Sequence, residues 1–237
     1  MVHRTNMSLT PFSEIRQLAE ERKGGTRALE KILAENQILP SRKLAALGDD
    51  RYLSMMTRCI FNAGFNWKVI SNKWEGFEEA FHGFNPRGLA HMPPEKWEAY
   101  TEDTRIVRNW IKIQAVLDNA LFLMDQAEEH GTFAALFSRW PVNDQIGLMA
   151  FLKKNASRLG GNTGMYFIRF MGKDSFVLSQ DVVGRLKASG LEIRDQPSSK
   201  KDLLACQQAF NTWHEETGLP YTHLSRICGM SIGKNYV

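Results

Sequence analysis

Cysteine is scarce in this chain. There are three, Cys59, Cys206 and Cys228, far apart and with no Cys-x-x-Cys pair. An odd, scattered set excludes a disulfide framework, a zinc ribbon and a four-cysteine iron–sulfur cluster. The six histidines fall at no metal-ligand spacing, so no metal and no cofactor is expected. Long apolar runs are missing too. Charges interrupt every apolar stretch well short of the roughly 18 residues that a membrane-crossing helix needs, and Met1-Val2-His3-Arg4-Thr5-Asn6 has no apolar segment of the secretory kind. The expectation is a soluble protein of a reducing compartment with no membrane partner. A large excess of one charge is also lacking. Thirty Lys and Arg against 26 Asp and Glu leave a net +4, which permits a polyanionic partner without establishing one. There is no internal repeat and no low-complexity run. With 43% apolar and 24% charged residues, disordered, collagen-like and fibrous classes are excluded. The 237 residues suit one large domain or two small ones.

What is present is a helical period. Ile106, Trp110, Ile113, Leu117, Leu121 and Met124 recur at intervals of three and four, which predicts a helix over 106–130 stopped by Gly131. Leu53, Met56 and Ile60 give a second helix over 49–64, with Asp49 or Asp50 as its N-cap. Asn85-Pro86 and Pro93-Pro94 mark helix starts, because proline suits a first turn. Ser199 and Asp202 resemble a capping box, after which Leu203, Cys206, Phe210 and Trp213 point inward as far as Gly218. Sustained period-2 alternation is absent. Ser175-Phe176-Val177-Leu178 comes nearest and is too short to build a sheet. The expected fold is all-α, with ten or so short helices and a surface loop over 195–201.

The segment 154–186 carries the most chemistry. A helix ending near Ala156 leads into Ser157-Arg158-Leu159-Gly160-Gly161-Asn162-Thr163-Gly164, and a second helix begins at Met165. Two helices joined by a glycine-rich turn make an anion cradle. Glycine lets the backbone approach a phosphate, and the second helix offers free N–H groups and a partial positive charge. An ordinary helix–helix turn also uses glycine, so both readings stand on the residues alone.

Two resemblances narrow the choice. Ala156–Gly164 resembles the helix-hairpin-helix motif of DNA glycosylases, Leu-Pro-Gly-hydrophobic-Gly-x-x-Thr-Ala, with Arg158 where the motif has its first glycine. Residues 62–122 resemble bacterial 3-methyladenine DNA glycosylase I in three ordered blocks: Asn62-Ala63-Gly64-Phe65-Asn66-Trp67, Phe81-His82-Gly83-Phe84-Asn85-Pro86, and Asp103 to Asn109 followed by Lys112-Ile113-Gln114-Ala115 and Asn119-Ala120. Together they cover roughly half of the chain. They imply a helix-hairpin-helix glycosylase-like domain over 46–237 behind an N-terminal helical extension over 1–45. They also imply a bacterial, cytoplasmic, monomeric protein that meets nucleoid DNA and acts on double-stranded DNA holding a damaged base.

The resemblance assigns roles to residues that have plainer readings. Trp67, with Cys59, Asn62 and Tyr166, would form the base pocket, although Trp67 and Tyr166 also read as core and Cys59 as an inert buried thiol. Phe65 would fill the gap left in the base stack, or be an ordinary helix-end hydrophobe. Arg158, Gly160, Gly161, Asn162, Thr163 and Gly164 would grip the DNA backbone. Asp181 would hold the superfamily's catalytic aspartate position, one residue after the strictest alignment at Gln180, or simply cap a helix. Arg105, Arg108 and Lys112 either touch phosphate or are merely solvated. Asn162 stands where strand-cleaving members carry a lysine, which implies base release alone. Cys59 stands where 3-methyladenine DNA glycosylase I has the glutamate that grips its base, and the zinc ligands of that family are lacking.

Overall fold

The computed structural model describes residues 9–234. Among them are fifteen α-helices and no strand. In chain order they are α1 (Phe12–Lys23), α2 (Thr26–Ala34), α3 (Ser41–Ala45), α4 (Asp49–Asn62), α5 (Trp67–Asn72), α6 (Trp74–Ala80), α7 (Pro86–Ala90), α8 (Pro94–Ala99), α9 (Trp110–His130), α10 (Phe133–Arg139), α11 (Gln145–Asn155), α12 (Gly161–Phe170), α13 (Gln180–Ala188), α14 (Lys200–Thr217) and α15 (Tyr221–Met230). The all-α expectation holds, but the helices are more numerous and shorter than the ten expected. Apolar spacing alone does not show where two successive helices break.

The described residues form two compact units, the first from the stretch up to 38, 142–146 and the stretch from 174 onward, and the second from 39–141 and 147–173. In the first unit, α1 shares a core with α14 and α15. Phe12 and Trp213 meet at 5.5 Å, and Phe210 stacks on Phe176 at 4.5 Å. The Trp213 indole donates to the Thr10 carbonyl at 3.0 Å, and the Phe12 N–H donates to the Glu216 carboxylate at 2.9 Å. The extended stretch around Ser175–Leu178 pairs with side chains instead of a strand. The Gln145 amide donates to the Phe176 carbonyl and accepts from its N–H, both at 2.7 Å. Thr222 and Ser225 hydroxyls accept from the Ser175 and Val177 N–H groups. Those buried backbone groups are thus satisfied without a sheet.

In the second unit α4 packs against α9. Leu53, Met56 and Ile60 on α4 and Ile113, Val116 and Ala120 on α9 are all buried where the two helices pack, the outcome of three-and-four spacing on both helices. Tyr52 sits among Phe133, Phe137 and Phe167 and donates to the Leu44 carbonyl at 2.9 Å. Three boundaries differ from expectation. Helix α9 starts at Trp110, where Asn109 accepts from the Lys112 N–H, rather than at 106. The cap of α4 is Gly48, and the Asp49 carboxylate accepts instead from Phe133 and Ala134 N–H at 3.0 Å each, serving the start of α10. Helix α12 starts inside the glycine turn, four residues before Met165. The Ser199 hydroxyl does accept from the Asp202 N–H, but the Asp202 carboxylate takes Arg194 rather than closing a box.

A candidate DNA-facing surface

The hairpin in the second unit runs from the end of α11 to the start of α12. Its strained position is Arg158, with φ +59. That is the left-handed region, so the arginine adopts the backbone that the motif's glycine would hold without strain. Leu159 is buried and anchors the turn. Gly160 precedes α12, and Gly161 has φ +57. Gly164 packs so tightly that a Cβ there would lie 2.4 Å from the Leu159 carbonyl oxygen, which explains the need for a very small residue. Arg158, Gly161 and Asn162 are exposed, and Thr163 is half-buried. A buried side chain fixes this turn from beneath. Asn119 donates to the Ser157 carbonyl at 3.1 Å and accepts its N–H at 2.8 Å.

Beside the hairpin lies a cleft of about 290 Å³ lined by Ile60, Ala63, Lys112, Arg158, Gly160 and Thr163. Lys112 is 6% exposed. It is neither solvated nor at the surface, and its ammonium donates to the Phe61 and Ala63 carbonyls at 3.1 and 2.6 Å. Burial, then the nearby Arg158 charge, lowers its affinity for a proton. Arg105 bonds Asp103 rather than standing free.

Trp67 at the start of α5 and Tyr166 and Phe170 of α12 form an aromatic ledge. Trp67 meets Tyr166 at 5.8 Å and Phe170 at 5.5 Å, both edge-on, and Tyr166 stacks on Phe170 at 5.6 Å. Trp67 is 46% exposed, so it is not core, and Tyr166 is half-buried. Phe65 is exposed in the loop between α4 and α5. Cys59 and Asn62 are buried on α4. Burial pushes the Cys59 thiol up to about 12, so it stays neutral. The Asn62 Oδ1 is buried without a partner among the described residues.

Asp181 belongs to the other unit. It lies in the first turn of α13, whose cap is Ser179, so it is not the cap. It lines a cleft of about 460 Å³ with Gln180, Lys187, Asp195 and Gly233. Its carboxylate sits close against Gly233, where a Cβ would come within 2.1 Å of Oδ1. Lys187 pairs with Asp195 across the same cleft.

The model of the methyladenine glycosylase family matches residues 44–156. Over those residues the chain is similar to the methyladenine glycosylases. It is 36% identical over 69 residues to DNA-3-methyladenine glycosylase 1 of Escherichia coli K12, which is 29% of this chain and 36% of that protein. It is 33% identical over 58 residues to DNA-3-methyladenine glycosylase of Haemophilus influenzae, covering 24% and 31%. The matched stretches thus span about a third of these relatives. The fold is like that of 8-oxoguanine DNA glycosylase of Methanocaldococcus jannaschii, with TM-score 0.57 at 14% identity over 91% of this chain and 92% of that one. The methyladenine glycosylase region holds Cys59, Asn62, Phe65, Trp67, Lys112 and Asn119. The hairpin from Ser157 onward and Asp181 lie beyond it.

Two contributors escape sequence reasoning. Nothing in spacing marks Lys112 as buried. Asn119 reads as one member of a run, with no sign of its bond to Ser157. Phe170 was also missed, and the signal that marks it is its place four residues after Tyr166 on one helix face. Among the described residues no helix is long and apolar enough to cross a membrane, and no group of three or more His, Cys, Asp or Glu is placed to hold a metal ion.

Proposed function

We propose that the chain is a monofunctional DNA glycosylase that releases alkylated purines of the 3-methyladenine kind from duplex DNA. The observation that carries this reading is the half-exposed Trp67 of α5, which lies inside the methyladenine glycosylase match and packs against Tyr166 and Phe170 of the hairpin helix α12. A base inside a duplex is reached only by extruding it, and an aromatic wall recovers part of the lost stacking. In this reading the hairpin N–H groups and Arg158 hold backbone phosphates. Phe65 fills the gap in the stack, and the extruded base lies on Trp67, with Tyr166, Asn62 and Cys59 around it. Alkylation leaves positive charge on the purine, so the bond from the base to sugar C1′ is already weak. As it breaks, the bonding electrons leave with the base. The Asp181 carboxylate stabilises the cationic sugar, and water supplies oxygen to C1′ and a proton to solvent. The products are a free base and an abasic site. Asn162 supplies no amine for strand cleavage. The protein acts as a monomer without metal or cofactor.

A second reading, a lesion-binding protein without catalysis, is favoured by one observation. The neutral thiol of Cys59 cannot accept two hydrogen bonds as a carboxylate does. Chromatography of bases released from methylated duplex DNA separates the two. The glycosylase reading expects free 3-methyladenine without strand nicking, and a loss of about two orders of magnitude or more in Asp181→Asn with DNA affinity kept. Intact DNA binding with no released base would establish the binder. Unchanged release in Asp181→Asn would remove that carboxylate from the mechanism.

A further inference from the structure

The loop that carries Phe65 is thinly supported. Residues 63–66 between α4 and α5 and the first three residues of α5 are all exposed, and Gly64 turns through φ +76. Its hydrogen bonds lie at its two ends, where the Ala63 and Phe65 N–H groups donate to the Cys59 and Asn62 carbonyls and Asn66 receives the Lys68, Val69 and Ile70 N–H groups; none of them holds the Phe65 side chain. A wedge on such a loop would fold aside rather than enter a base stack. One group from another helix opposes that. The Lys112 ammonium, carried on the first turn of α9, donates to the Ala63 carbonyl at 2.6 Å and to the Phe61 carbonyl at 3.1 Å. The same nitrogen stands 4.6 Å from the centre of the Phe65 ring. Among the described residues it has no carboxylate partner; two carbonyls and the faces of Phe61 and Phe65 receive its charge. A cation sheltered from water is held by a ring face far more firmly than an exposed one. The α9 backbone fixes the lysine in turn, through the Asn109 cap and the buried seam with α4.

We propose that Lys112 is a positioning residue for the duplex-opening step, holding the Ala63–Phe65 loop so that the Phe65 ring is presented rigidly to the base stack. The inference deepens the glycosylase reading and rests on it for the role of Phe65. Lys112 touches neither base nor sugar. It acts through the loop, so its loss weakens stack opening and leaves the chemistry on an already unstacked base intact.

Fluorescence of 2-aminopurine beside a lesion analogue in duplex DNA reports stack opening without requiring base release. Saturating wild-type protein brightens the probe. Lys112→Met brightens it at least about threefold less, and base release from methylated duplex falls about tenfold, the scale of a sheltered cation–π contact. Release from methylated single strands stays within about twofold. Adding Lys112→Met to Phe65→Ala lowers release no further than Phe65→Ala alone, because the two act as one unit. Circular dichroism checks folding. Lys112→Gln, which keeps a donor for the Ala63 carbonyl, carries the comparison if the Met variant melts. Wild-type brightening in both lysine variants, or equal losses on duplex and single strands, overturns the proposal. If wild-type protein releases no base, the glycosylase reading fails while the brightening still decides the role of Lys112. An absence of wild-type brightening ends the proposal.

Discussion

Arg158 allows a test in which glycine, normally the weaker residue, should win. At an ordinary helical backbone angle, glycine is less favourable than alanine by about 1 kcal/mol. At Arg158 the angle is +59°, where any side chain with a Cβ carries a strain of about 1–2 kcal/mol. Glycine escapes that strain but gains about 0.5–1 kcal/mol of disorder in the unfolded chain. The balance favours glycine by about 0.5–1 kcal/mol. The side chain is exposed, so its removal opens no cavity. Arg158→Gly should therefore melt roughly 1–4 °C above Arg158→Ala and at or above wild type, at about 2–4 °C per kcal/mol for a chain of this size. Thermal melting by circular dichroism measures it. DNA binding should move the other way and equally in both variants. In the proposed reading Arg158 holds one phosphate, so each variant loses that contact and the slope of log affinity against log salt shrinks by about 0.9. An alanine variant that melts above the glycine variant would refute the left-handed assignment. A salt slope unchanged in both would refute the phosphate contact while leaving the backbone argument standing.

Asn119→Ala removes both bonds to Ser157 and leaves backbone groups half-buried. The expected loss is about 2–3 kcal/mol, or roughly 5–10 °C in melting temperature, together with weaker DNA binding; melting within 1 °C of wild type, roughly a quarter of a kcal/mol, would show that the clamp carries nothing. For Glu78, burial pushes the carboxyl up, but Arg51, Ser54 and the Trp74 indole outweigh it and hold it below the ordinary range. A lowered carboxylate contributes stability above its unfolded value and loses it as pH falls through the folded value. Wild-type protein should lose stability as pH falls through the ordinary carboxylate range and below it more steeply than Glu78→Gln, which should melt lower at neutral pH; parallel curves would contradict the assignment.

The helical period of α4 and α9 was legible because both bury one regular face. So were the starts at Pro86 and Pro94 and the stops at Gly131 and Gly218, which depend on local backbone chemistry. The N-cap of α4 was not legible. An aspartate at a helix start satisfies any nearby N–H, and the ones Asp49 meets lie 84 and 85 residues away. Burial of Lys112 was hidden for a similar reason. A lysine normally keeps its charge in water, and only the assembled end of α4 supplies the carbonyls that replace it. The hairpin was visible through its glycines and Thr163. That Arg158 keeps the glycine-like backbone was not, since sequence does not show which strain a fold accepts. The two units are also discontinuous along the chain, and apolar period carries no record of which distant helices share a core.

Helix α10 has seven residues, too few to persist alone in water, where isolated helices need about 12–15. Its first N–H groups are received by Asp49 and Thr132. Near its other end the Lys173 ammonium donates to the Phe137 and Trp140 carbonyls at 2.9 and 2.8 Å. Both charged ends come from distant parts of the chain. The helix is therefore a report on assembly rather than a building block. Its amides should not fray from the tips, and should exchange with solvent only when the surrounding core opens as one body. A short helix braced at both ends would thus be among the last places in this unit to record local motion, and among the first to record its collapse.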